Sequence, residues 1–184
     1  MRIIAGRAGG IRLDVPKRQV RPTMDRVKAA IFSSLGDHVV GAHVLDLFAG
    51  TGALGIEALS RGASSARFVD NDREAVAAIE RNLAKTKSDG RVLKRDVFDF
   101  LRRPVSTQRF DIIFADPPYE RTRDDMSFTD LLLESEELVR LIHPSGTFVL
   151  EKHPSEKIPE TEWWHVVRAR TYGATEVLFL SRSA

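Results

Sequence analysis

Two rhythms of apolar positions alternate along most of the chain. Short, nearly continuous apolar runs occur at HVLDLFA (43–49), ARFVD (66–70), RVLKRD (91–96), FDIIFA (110–115) and GTFVLEK (146–152), and such runs read as strands. Between them, apolar residues recur every three or four positions. These stretches predict helices: one to about Arg61, one over 73–86 with Asp72 as its cap, a short one after 96, and one over roughly 128–142. Strand followed by helix, repeated, calls for right-handed crossovers and a mainly parallel sheet covered on both faces. Nearer the start, Val27, Ala30, Ile31 and Ser34 keep helical spacing. That predicts a helix over 24–35, capped by Thr23 and stopped at Gly36. RIIAG and GIRLDV flank RAGG and predict a hairpin, and KRQVRPT is a polar connector. At the far end WWHVVRART and TEVLFLS are joined by the tight YGA turn region with no helix between them, so they pair antiparallel. The pattern counts about seven strands in an α/β fold.

Composition narrows the class. The chain has 184 residues, 42% hydrophobic and 29% charged, which suits one globular domain with a substantial core. No apolar run is long enough to span a membrane. The start, MRIIAGRAGG, lacks the apolar stretch of a secretory signal, and there is no cysteine for a disulfide or a thiolate metal site. A cytoplasmic protein is expected. Residues 1–35 carry eight Lys/Arg against Asp14 and Asp25, a net of +6, which leaves −4 for the rest of a chain whose total is +2. A basic arm on a mildly acidic body fits a polyanion partner, and it also fits a solvated surface segment.

Two motifs carry chemistry. Gly50, Gly52 and Gly55 form G-x-G-x-x-G between a strand and a helix, and Asp70 follows at the tip of the next strand. Such a segment offers backbone approach, a helix N-terminus favourable to an anion, and a carboxylate for ribose hydroxyls. Both NAD and S-adenosylmethionine (SAM) satisfy it. Asp46, four residues before the first glycine, favours SAM, whose ammonium group NAD lacks. Little chain remains for a second, substrate domain. The other motif is DPPY (116–119), which ends a buried strand in a carboxylate and a rigid elbow. Hydrogen bonds from an exocyclic amine to the Asp116 carboxylate and the Pro117 carbonyl would localise the nitrogen lone pair and aim it. Tyr119 can stack on a flat base. No metal is called for, and His38, His43, His143, His153 and His165 show no ligand spacing.

RIIAG, RPTMDRVKAAIFSSL, VLDLFAGTGALGIEALSRGA, FVDND, DIIFADPPY and YGAT span almost the whole sequence. Together they resemble the RsmD-type methyltransferases of small-subunit (16S) ribosomal RNA, which modify the exocyclic 2-amino group of one guanine. The resemblance implies a seven-stranded, Rossmann-like SAM-dependent methyltransferase sheet. It ends in an antiparallel hairpin and begins with a basic β-hairpin extension over 1–22 that helps bind RNA, ahead of the methyltransferase domain at 23–184. It also assigns Asp46, Gly50 and Gly52 to the methionine end of SAM, with Phe48, Thr51 and Ala53 of the same segment among the cofactor residues. Asp70 goes to the ribose, Asn71 beside the adenine, Asp96 to the adenine amine and Val97 next to it. Asp116, Pro117, Pro118 and Tyr119 go to the guanine. Arg2, Arg7, Arg12, Lys17, Arg18, Arg21 and Arg26 are the expected RNA contacts, with Thr23 and Asp25 in the same N-terminal motif.

Plainer roles stand beside these. Asp96 can cap the helix after it, Asp25 can pair with an arginine for structure alone, and one of Trp163 and Trp164 belongs in the core. Residues 121–128 are a polar loop or a lid bearing Arg121 and Arg123. Rival functions are an amine methyltransferase acting on DNA adenine or protein glutamine, an NAD-dependent oxidoreductase, and an RNA-binding assembly factor without catalysis. The expected partner is 16S ribosomal RNA in the small subunit or an assembly intermediate, with the chain as a monomer.

Overall fold

A computed structural model describes residues 1–15, 24–104, 108–119 and 126–183. Seven strands form one sheet in the order β3-β2-β1-β4-β5-β7-β6. They are β1 (His43–Leu47), β2 (Ser65–Asp70), β3 (Arg91–Lys94), β4 (Phe110–Ala115), β5 (Ile142–Lys152), β6 (Trp164–Tyr172) and β7 (Thr175–Arg182). The first five pair in parallel, while β7 runs antiparallel to both β5 and β6. The chain reverses its direction of growth at β1, which has β2 on one side and β4 on the other. That reversal opens a crevice at the carboxyl ends of β1 and β4.

Helices cover both faces: α1 (Met24–Leu35), α2 (Ala53–Ser60), α3 (Arg73–Thr86), α4 (Val97–Arg102), α5 (Phe128–Leu133) and α6 (Glu136–Leu141). Alternation along the strands divides the apolar residues. Val44, Phe68, Ile112, Phe114, Val149, Val177 and Phe179 share a core with Val27, Ile31 and Phe32 of α1 and with Ile56 and Ile79. Leu45, Leu47, Val69, Ile113, Phe148 and Leu178 share the other with Phe100, Leu132 and Leu138. Continuous apolar strands therefore follow from burial on two sides.

Helices 24–35 and 73–86 and strand 110–115 match the sequence reading, and Asp72 caps α3 by accepting from the Glu74 N–H at 3.1 Å. Three expectations change. The helix expected over 128–142 is two helices, because the Ser135 hydroxyl accepts the Leu138 N–H at 3.2 Å and starts a new one. The fifth strand begins at Ile142 rather than Gly146, with a register shift between Phe110 and Ile112 that loops out residues 143–146. The N-terminal hairpin has a single antiparallel bridge, Arg2 to Arg12. Ile3, Ala8 and Leu13 anchor it in the core that α1 and α2 share. The Thr23 cap lies outside the described residues, as do residues 120–125, most of the supposed lid.

Candidate active site at the carboxyl edge of the sheet

Asp46, next to last in β1, is only 2% exposed. One of its oxygens accepts the Gly55 N–H at 2.8 Å. A side chain at Gly55 would force its neighbours to shift, since a Cβ there would stand 2.3 Å from the Phe68 ring and 3.1 Å from Asp46 Oδ2. The loop between is unusual at Phe48, whose φ of 54° is rare for a residue with a side chain. Its ring meets Phe98 and Phe128 edge-on at 6.2 and 5.8 Å. Thr51 and Ala53 are buried in the same turn.

Asp70 reaches across from β2. Its two oxygens accept the Gly50 N–H at 2.8 Å and the Asp72 N–H at 2.9 Å. The ribose candidate therefore also fastens the glycine loop. Asn71 beside it is exposed. Asp96 accepts the Asp99 N–H at 3.0 Å and so caps α4, while Val97 is buried. Its predicted capping role is present, with one oxygen committed to it.

From β4 come half-buried Asp116, buried Pro117, and exposed Pro118 and Tyr119. The Tyr119 hydroxyl is 3.5 Å from Thr175 Oγ1, at the turn between β6 and β7, and its ring meets His153 edge-on at 5.7 Å. Asp46, Asp70 and Asp116 are thus gathered from three strand ends. Burial pushes the Asp46 carboxyl up to about 8; the Gly55 N–H opposes the shift, and the charges of Asp70 and Asp116 add to it. A depression of about 350 Å³ lined by Asp111, Ile112 and Thr147 lies at the opposite, amino edge and contains none of these groups.

The basic residues divide. Arg2, Arg7, Arg12 and Arg26 are exposed, but Arg7 donates to Lys87 O at 3.1 Å and to Ser88 Oγ at 3.2 Å, fastening the hairpin to the end of α3. The Arg2 backbone N–H donates to Asp25 at 3.2 Å, which gives Asp25 a structural partner. Lys17, Arg18 and Arg21 lie outside the described residues. Trp164 is the buried tryptophan, 5.1 Å from the Phe148 ring. No group of His, Asp and Glu suited to a metal ion occurs among the described residues.

Sequence reading missed Glu57. It is fully buried on α2, accepting the Ile4 and Ala5 N–H groups at 2.7 and 3.0 Å and pairing with Lys28 at 3.2 Å and Arg61 at 2.8 Å. The signal was present: one acid in the otherwise apolar helix ALGIEALS.

The family described as "Conserved hypothetical protein 95" matches residues 1–181. The chain belongs to that family, the RsmD type. One relative of this family, the ribosomal RNA small subunit methyltransferase D of Haemophilus influenzae, is 32% identical over 94% of this chain and 89% of its own length. The putative rRNA methyltransferase YlbH of Bacillus subtilis is 36% identical over 96% of each. A solved structure, the putative methyltransferase yhhF of Escherichia coli, superposes with a TM-score of 0.79 at 31% identity, covering 100% of this chain and 98% of that one. The fold is the seven-stranded sheet of the SAM-dependent methyltransferases, with its terminal antiparallel pair. No described helix is long and apolar enough to cross a membrane.

Proposed function

We propose that this chain transfers a methyl group from SAM to the exocyclic 2-amino group of one guanine in 16S ribosomal RNA. The observation that carries this reading is the Asp116–Pro117 elbow in the same crevice as Asp46 and Asp70. Family membership and the rRNA methyltransferase names of its relatives support it. The residues fit the cofactor. Asp46 is a buried carboxylate meeting no cation among the described residues, and an ammonium group suits it. Asp70 retains acceptor capacity for ribose hydroxyls beyond the two N–H groups it holds. Phe48, Gly50, Thr51, Gly52 and Ala53 line the methionine side. Asn71, Asp96 and Val97 line the adenine side.

SAM supplies an electrophilic methyl on a sulfonium. The chain binds, aims and takes up the proton. The target guanine must be unpaired or turned out of its helix before the elbow can hold it. Its two amine N–H groups donate to the Asp116 carboxylate and the Pro117 carbonyl, which frees the nitrogen lone pair from the ring and directs it. Pro118 stiffens the corner, and Tyr119 covers the base. After transfer the extra proton leaves to Asp116 or to water. The hairpin extension and Arg2, Arg12 and Arg26 serve the RNA backbone, so binding weakens as salt rises.

The test is labelled SAM with small-subunit RNA, DNA and ribosomal protein from cells lacking this chain, followed by mass mapping of the RNA. Methyl on one guanine amine is expected. Methyl on adenine or on protein glutamine instead overturns the substrate assignment.

A further inference from the structure

Strand β6 is an edge of the sheet, and every residue from His165 to Thr171 is exposed, Val167 at 63%. Between Glu162 and Glu176 the chain has Arg168, Arg170 and His165 but no acid. Glu176 is engaged by Lys152 at 2.7 Å. Arg168 stands opposite Phe179 and Arg170 opposite Val177. Partners in an antiparallel ladder share a face, so both arginines project from the face whose core includes α1. Exposed Arg26, in the first turn of α1, belongs to that side. The two arginines stand about 7 Å apart along the strand. Neither has an ion-pair partner among the described residues, and Arg170 donates only to Ala169 O at 3.2 Å. β6 runs parallel to β5, so it ends at the carboxyl edge, where Tyr119 meets Thr175. Arg170 is two residues from that turn.

We propose that the outer face of β6 is a second RNA-binding surface, on which Arg168 and Arg170 hold phosphates of the strand flanking the target guanine. This rests on the methyltransferase reading above. An exposed edge also invites another strand. Here the two arginines and the bulge between Val166 and Arg168 oppose that. Two copies pairing edge to edge would also bring like charges together.

The experiment compares wild type, Arg168→Gln/Arg170→Gln, and a control, Arg102→Gln/Arg140→Gln, that removes equal charge from α4 and α6. Each is titrated with in vitro transcribed 16S RNA between about 50 and 200 mM salt, and with SAM by calorimetry. The β6 variant should lose roughly tenfold or more in RNA affinity, with a salt slope shallower by about 1.5. Its SAM affinity should be unchanged, and the control should stay near wild type. A β6 variant no weaker than the control overturns the inference while leaving the methyltransferase reading intact. Wild type that neither binds nor methylates the RNA overturns both. A wild-type dimer that Val167→Glu dissociates assigns β6 to a second copy instead.

Discussion

Two regions bury carboxylates, and they treat them in opposite ways. Under the N-terminal hairpin, Glu57 is saturated by two backbone N–H groups, Lys28 and Arg61. Burial presses the Lys28 ammonium down, and the Glu57 charge pushes back. At the carboxyl edge, Asp46 and Asp70 accept backbone N–H groups alone among the described residues. Burying an unpaired charge is expensive, so a chain keeps such an arrangement where a ligand completes it. The saturated acid holds the hairpin down, and the incomplete pair is what the proposed cofactor would complete, its ammonium at Asp46 and its ribose hydroxyls at Asp70.

The sharpest separation should come from Asp116→Ala. Methyl transfer should fall on the order of a thousandfold, while calorimetry still finds SAM bound. Full activity would remove the elbow from the chemistry. Next comes Glu57→Gln, which leaves Lys28 buried without its charge partner. Urea unfolding should report a loss of about 3–5 kcal/mol, and a change within error would erase the contrast between the regions. Asp46→Asn should do the reverse, leaving the fold at least as stable and weakening SAM binding.

The pH dependence of Asp46 sharpens this further. Its carboxyl is raised from 3.8 to about 8 in the fold. Between those values the native state binds more protons than the unfolded chain. Its contribution to stability is therefore full below the unfolded value and is lost as pH rises through about 8. With Asp46 holding the ammonium group as proposed, cofactor binding needs the anion and runs the other way. Affinity should climb by up to about tenfold per pH unit from 6 toward 8, then level as the ligand's own ammonium titrates near about 8. A flat profile would separate Asp46 from the cofactor. The smallest effect is Gly55→Ala, which pushes a methyl into the Phe68 ring and should lower stability by about 1–3 kcal/mol, measured by thermal unfolding.

Much of this was legible in the chain because it is local. Helix 73–86 shows its cap and its period, and β4 shows an apolar run stopped by prolines. The elbow and the glycine loop are contiguous motifs. What escaped was long-range or conformational. Glu57 acts on residues more than fifty positions earlier, and no spacing rule reaches that far. Arg7, read as a polyanion contact, also donates its guanidinium to carbonyl and hydroxyl oxygens at the end of α3, a role no local spacing shows. The split at Ser135 competed with an unbroken apolar period and prevailed through side-chain capping. Phe48 gave no hint of its backbone, since nothing about phenylalanine suggests a positive φ.

β7, the last of the described strands in chain order, occupies an inner place, with β5 on one side and β6 on the other. During synthesis, β5 keeps an open flank and β6 has no mate until residues 175–182 exist. Thr175, whose hydroxyl lies 3.5 Å from that of Tyr119, belongs to the same strand. Pairing of β7 thus closes the flank of β5, gives β6 its mate and brings Thr175 to the elbow in one step.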